Sequence, residues 1–162
     1  METADRELQG LVAQIAARLM ARRWTMATAE SCTGGAIAAA LTEAAGASEW
    51  FAGALVTYAT EWKERHLGVS HETIARFGVA SCEVVSQMLS GLTARFGVQA
   101  ACAVSGIAGP TGGEPGKPVG TVYIGACANG RSHVAKHHFD GDRAAVRAQA
   151  VRRALQMLFT LL

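Results

Sequence analysis

The 162-residue sequence predicts an α/β fold: a single layered domain over residues 1–162, with a mixed, mostly parallel sheet, a C-terminal β-hairpin and helices on both faces. Three observations predict it. Helical and strand-like segments alternate through the first two-thirds of the chain, the pattern of strands and crossover helices around a parallel sheet. Two apolar runs joined by Asn129-Gly130 then follow, and Asn-Gly between such runs is the strongest short-range hairpin signal. Hydrophobic residues make up 50% of the chain, enough at this length for one full core.

The elements follow in order. Leu8, Leu11, Val12, Ile15 and Leu19 recur at helical spacing and predict a first amphipathic helix over about 4–22. Trp24 to Ala29 is short, apolar and partly β-branched, a buried strand. Glu30 to Gly35 forms a tight turn, and the alanine-rich stretch 36–45 a helix, since alanine is the strongest helix former. Phe51 to Tyr58 is a second strand and Glu61 to Leu67 a short helix. Ser70 caps another helix reaching about Phe77. Val84, Val85, Met88, Leu89, Leu92 and Phe96 share one face of a longer helix that begins near Ser81. Ala100 to Val104 is a third strand. Residues 105–120 hold six glycines and all three prolines and read as a loop. The strands Val119–Ala128 and Ser132–Phe139 make the hairpin, and Asp142 opens a last helix with Val146, Ala150, Ala154, Met157 and Leu158 on its face.

Composition narrows the function. Net charge is +2, charged residues are 17% and aromatics 6%. There is no basic stripe interleaved with aromatics, so no nucleic-acid partner is expected. No apolar run reaches the ~20 residues that span a membrane, and the charged N-terminus lacks a secretory apolar segment. The four cysteines, 32, 82, 102 and 127, show no C-x-x-C spacing and read as buried, reduced thiols, which fits a cytoplasmic location. Apolar helix faces serve a homo-oligomer or the core equally well.

Ser31 stands where a buried strand meets a Gly-Gly turn and a helix. Such a turn exposes a side chain at the sheet edge beside the free N–H groups of the helix N-terminus, an oxyanion hole or phosphate cradle. Ser31 thus fits a nucleophile, with Thr33, Gly34 and Gly35 as substrate contacts; equally, Ser31 or Thr33 fits a plain helix cap. None of the five histidines (66, 71, 133, 137, 138) lies in a recognisable motif that would supply a base. Lys63 is the better candidate. It lies in the first turns of a short helix, where the macrodipole disfavours its charge and burial would lower its pKa further. A neutral lysine can take a serine proton and return it to departing ammonia. Tyr58 is placed to orient the amine or to donate to the oxyanion. The alternative is a solvated helix lysine. Cys32 at the same turn is a narrower candidate nucleophile.

The loop 105–120 follows a buried strand, where α/β sheets bind ligands, but lacks the P-loop order of glycines and lysine. It fits an anion site, with Ser105, Gly106, Gly109 and Lys117 as contacts, or a surface turn. Asp142 reads as a helix cap and Arg143 as a second anion contact, while Arg147, Arg152 and Arg153 read as a solvated face.

Five segments in this order, Ala29-Glu-Ser-Cys-Thr-Gly-Gly35, Tyr58 with Lys63, Ser105-Gly-Ile-Ala-Gly-Pro110, Lys117-Pro-Val-Gly-Thr-Val122 and Phe139-Asp-Gly-Asp-Arg143, together closely resemble the CinA C-terminal-domain family. The resemblance runs from about residue 8 to 160. It implies hydrolysis of nicotinamide mononucleotide to nicotinate mononucleotide and ammonia within pyridine-nucleotide recycling. It further implies a Ser/Lys dyad at Ser31 and Lys63 with Tyr58 nearby, a small-molecule nucleotide as partner, no metal and no cofactor. The chain departs from the family pattern at Thr60, where relatives often carry Asn, and in the order Gly78-Val-Ala-Ser81. Longer relatives carry a further nucleotide-pyrophosphatase domain, whose activity is not carried over. A catalytically silent nucleotide-binding module is the alternative that the same glycine-rich segments would serve.

Overall fold

The computed structural model describes residues 2–162. The chain runs α1 (Glu2–Arg22), β1 (Met26–Glu30), α2 (Ala36–Thr42), a 3-10 turn (Ala47–Glu49), β2 (Phe51–Val56), α3 (Thr60–Leu67), α4 (His71–Phe77), α5 (Cys82–Phe96), β3 (Ala100–Gly106), β4 (Thr121–Ala128), β5 (Arg131–His138) and α6 (Arg143–Leu161). The ends differ from the sequence expectation at two informative places. α2 stops at Thr42, because Gly46 takes a left-handed φ of 78° and the chain turns into the 3-10 segment. β1 extends one residue further, so that Glu30 belongs to the sheet rather than to the turn.

The five strands lie in the order β2-β1-β3-β4-β5. β1 pairs in parallel with β2 and with β3, while β4 is antiparallel to β3 and to β5. Four strands therefore point one way and β4 alone points the other. The hairpin turn has Asn129 at φ 49° and Gly130 at φ 79°, the left-handed pair that a two-residue turn requires.

Helices cover both faces. On one, Val12, Ile15 and Leu19 of α1, Ile37 and Leu41 of α2, and Val146, Leu155 and Leu158 of α6 bury against Met26, Cys102, Val104 and Ile124. On the other, Val84, Val85, Met88, Leu89 and Leu92 of α5 pack on Ala27, Ala29, Ala101 and Ala103. Small residues there let α5 come close: a Cβ on Gly125 of β4 would lie 2.7 Å from Leu89 Cδ1. No described helix is long and apolar enough to cross a membrane.

This topology positions the site. Glu30, Val56 and Val104 are aligned partners at the carboxyl ends of β1, β2 and β3. The chain leaves β1 toward β2 on one side and later returns to β3 on the other, so the strand order reverses at β1. Open α/β sheets bind ligands at the carboxyl ends of such strands.

Candidate active site

Side chains alternate along β1. Met26, Thr28 and Glu30 face α2 and α6, whereas Ala27 and Ala29 face α5. Ser31 continues the alternation, its N–H donating to the Val104 carbonyl at 3.1 Å, and its side chain turns toward α3. There it meets Lys63: Nζ lies 3.1 Å from Ser31 Oγ. The same amine donates to the carbonyls of Thr57 at 2.5 Å and Tyr58 at 3.4 Å, both in the segment that leaves β2. Lys63 is fully buried although it sits in the polar helix α3. Burial lowers its pKa from 10.5 to about 8. The solvated alternative for Lys63 is thereby removed.

A cavity of about 270 Å³ opens beside this pair. Ser31 and the buried Cys32 and Lys63 line it, together with Tyr58, Thr60 and Val79 and with Ser105 to Gly109, Thr111 and Gly112 from the exit of β3. Arg143 lines it from α6, donating to the Gly109 carbonyl and to the Tyr58 hydroxyl, each at 2.8 Å. The Ser105 hydroxyl donates to the Val79 carbonyl at 2.9 Å and ties two walls together. The lining holds the Arg143 guanidinium, the Lys63 amine and no carboxylate, so the cavity favours an anionic guest. No histidine is among the lining residues.

The structure thus brings Ser31, Lys63, Tyr58, Ser105, Gly106, Gly109 and Arg143 together and leaves four other candidates outside. The α2 amides expected to face a ligand are already taken. The buried Glu30 carboxylate accepts from the N–H groups of Gly35 at 3.0 Å, Ile37 at 3.1 Å and Ala38 at 2.9 Å. It also accepts from the hydroxyls of Thr33 at 2.7 Å and Thr28 at 3.2 Å. Thr33, fully buried on Glu30, and Gly34 and Gly35 do not line the cavity. Neither Ser31 nor Thr33 caps α2, whose N-cap position is Gly35 with no side-chain bond. Lys117 lies elsewhere too, donating to the Phe77 carbonyl at 2.7 Å beside Glu114.

Tyr58 differs from its expected role in detail: its backbone carbonyl, not its hydroxyl, touches the amine, and the hydroxyl accepts from Arg143. Cys32 is buried, and burial pushes its thiol up to about 11, which disfavours the thiolate. Asp142 caps α6, accepting from the Ala145 N–H at 2.9 Å. Arg147 is not part of a solvated face. It donates to the carbonyls of Cys32 at 3.1 Å and Thr33 at 2.7 Å. Sequence reasoning missed Glu30 and Arg147. The available signals were an acid at the end of a strand, just ahead of the turn that leads into a helix N-terminus, and an arginine one helical turn after Arg143 and hence on its face.

The model of the CinA C-terminal domain matches residues 8–162. A relative from Enterobacter agglomerans, named nicotinamide-nucleotide amidohydrolase PncC, is 47% identical over 154 residues, 94% of each chain. One of the same name from Escherichia coli K12 is 46% identical over 156 residues, 96% of this chain and 94% of the relative. A crystal structure described as competence damage-inducible protein A from Klebsiella pneumoniae superposes with a TM-score of 0.90 at 42% identity, covering 94% of this chain and 95% of that one. Shared sequence, shared fold and a match over nearly the whole length agree, and the chain belongs to the CinA C-terminal domain family.

Proposed function

We propose that residues 1–162 act as one amidohydrolase domain that converts nicotinamide mononucleotide and water into nicotinate mononucleotide and ammonia. Ser31 is the nucleophile and Lys63 the general base. One observation carries this reading: a fully buried lysine amine 3.1 Å from a serine hydroxyl, both lining a cavity that also holds Arg143 and no carboxylate. The names of the full-length relatives supply the substrate.

The amine has the geometry the chemistry needs. Neutral, it has two N–H donors and one lone pair. The carbonyls of Thr57 and Tyr58 occupy the donors, which leaves the lone pair for the Ser31 hydroxyl proton. As that proton moves to Nζ, Ser31 Oγ bonds to the carboxamide carbon, and the C=O electron pair becomes the oxyanion. The N–H of Cys32, the residue after the nucleophile, has no acceptor among the described residues and serves as an oxyanion donor. Lys63 then gives its proton to the amide nitrogen, the C–N bond breaks and ammonia leaves. Water repeats the sequence on the ester: Lys63 takes its proton, its oxygen bonds to the acyl carbon, and Ser31 departs with the proton returned. Arg143, exposed at the rim, is suited to the phosphate, while the amide reaches the buried end. No step needs a metal or cofactor, and the cytoplasm is where such a nucleotide-recycling reaction belongs.

The test is ammonia release from purified protein given nicotinamide mononucleotide, its riboside or free nicotinamide. Turnover with the mononucleotide that disappears in Ser31→Ala and in Lys63→Ala, with both variants folded, is the expected result. Binding without ammonia release would favour the silent nucleotide-binding module.

A further inference from the structure

We infer that Glu30 and Arg147 are positioning residues for this reaction, which grip the Ser31–Gly35 turn from two sides and fix both the nucleophile and its neighbouring amide. The inference rests on the hydrolase reading and adds two groups that touch no substrate.

The geometry on the Arg147 side is a relay of peptide planes. Across a trans peptide, C=O and N–H point in opposite directions. Arg147 Nη2 donates to the Thr33 carbonyl at 2.7 Å, so the Gly34 N–H on the same plane points away from the guanidinium. That N–H donates to the Ser31 carbonyl at 3.0 Å. The Cys32 N–H, on the far side of the Ser31 plane, is oriented in turn, and Cys32 lines the cavity. Arg147 Nε on the Cys32 carbonyl at 3.1 Å secures the intervening plane. Hydrogen bonds in such a chain polarise one another, so a fixed positive charge at one end strengthens the donor at the other.

Glu30 holds the opposite side. Its carboxylate is fully buried and accepts five hydrogen bonds: from the N–H groups of Ile37 and Ala38 in α2, from that of Gly35 just before it, and from the hydroxyls of Thr33 and Thr28. No described cation lies within ion-pair distance of it, and the α2 amides with their dipole take that place. The requirement is for a carboxylate and not merely a polar group. Backbone N–H groups address both oxygens, Ala38 one and Gly35 and Ile37 the other. A glutamine amide in either orientation would set its NH₂ against a backbone donor. Because Glu30 directly precedes Ser31, any shift of this anchor moves the nucleophile relative to Lys63.

The test compares Glu30→Gln, Arg147→Met and Arg147→Lys with Arg152→Met, a variant of an α6 arginine that holds Glu7 and Ala4 of α1, away from the cavity. Two readouts are taken below the melting temperature of every variant. One is kcat and KM with nicotinamide mononucleotide; the other is the rate at which a fluorophosphonate labels Ser31, which does not depend on the substrate being right. Glu30→Gln and Arg147→Met are expected to lower kcat about 10²-fold, the scale of a lost oxyanion donor. KM should stay within about threefold, since no ground-state contact is removed. Labelling should slow in parallel, Arg147→Lys should recover part of the rate by bonding one carbonyl, and Arg152→Met should keep it. Variants that lose thermal stability while keeping kcat and labelling would overturn the proposal and make both groups merely structural. If Glu30→Gln does not fold, the two Arg147 variants decide alone. If the wild type labels but releases no ammonia, the substrate reading fails, and the labelling rates still decide the positioning roles. A wild type that neither labels nor turns over overturns both.

Discussion

Leu67, at the end of α3, presses its backbone against Gly91 of α5 so closely that a Cβ on Gly91 would lie 1.7 Å from the Leu67 carbonyl oxygen. Lys63 sits one helical turn earlier on α3. The absence of a side chain on α5 therefore sets how near the base comes to Ser31, although Gly91 is far from the chemistry in sequence.

Gly91→Ala is expected to push α3 outward and lengthen the contact between Lys63 and Ser31. Overpacking of this kind costs about 1–3 kcal/mol, measurable by denaturant titration. A misplacement near 1 Å lowers kcat about 10²-fold. Gly10→Ala is the contrast: Gly10 lies in α1 with nothing within 4 Å of an added Cβ. That change should raise stability by about 0.5–1 kcal/mol through helix propensity alone and leave activity intact.

Lys63 gives activity and stability linked pH dependences. Its folded-state pKa of about 8 lies below the free value of 10.5. The base form exists above pH 8, so kcat/KM should rise with pH through an apparent pKa near 8 and then level. For stability, the amine is charged in folded and unfolded chains below pH 8, and burying it is unfavourable. As pH rises from about 8 to 10.5, the folded amine is neutral while the unfolded one still binds its proton, so the penalty fades. The interval between 10.5 and about 8, at ~1.36 kcal/mol per pH unit, corresponds to about 3 kcal/mol. The wild type should therefore gain on Lys63→Met by roughly that amount between pH 7 and 10.5. Parallel stability curves for the two proteins would show the amine to be ordinarily solvated.

Tyr58→Phe should reduce kcat only a few-fold, because the contact with Lys63 comes from a backbone carbonyl that phenylalanine also has. Arg143→Met should act differently. It removes the cation at the rim and should raise KM for the mononucleotide about 10- to 100-fold, the effect of losing one charge-assisted contact worth ~1.5–3 kcal/mol. Turnover of the riboside, which lacks the phosphate, should barely change. Steady-state kinetics on both substrates separates the two residues.

Cys32→Ala should keep nearly full kcat, since the thiol is buried and held protonated by burial at pH 7. Strong inactivation of this variant would instead return Cys32 to candidacy as the nucleophile.

The sequence by itself determined the element order, the caps at Ser70 and Asp142, and the Asn129-Gly130 hairpin, because caps and turns are local. It also drew attention to Ser31 and Lys63, through the serine at a strand's exit, the lack of a usable histidine, and the family motifs. Only tertiary structure decided that Lys63 is dry, since that depends on α3 docking at Gly91. It also decided that Glu30 occupies the α2 amides. A one-residue extension of β1 turns that side chain inward, and strand ends are where local patterns are weakest. Likewise, Arg147 looked solvated along its own helix. Its partners, the carbonyls of Cys32 and Thr33, lie 115 and 114 residues away in sequence, beyond what periodicity within one helix can register.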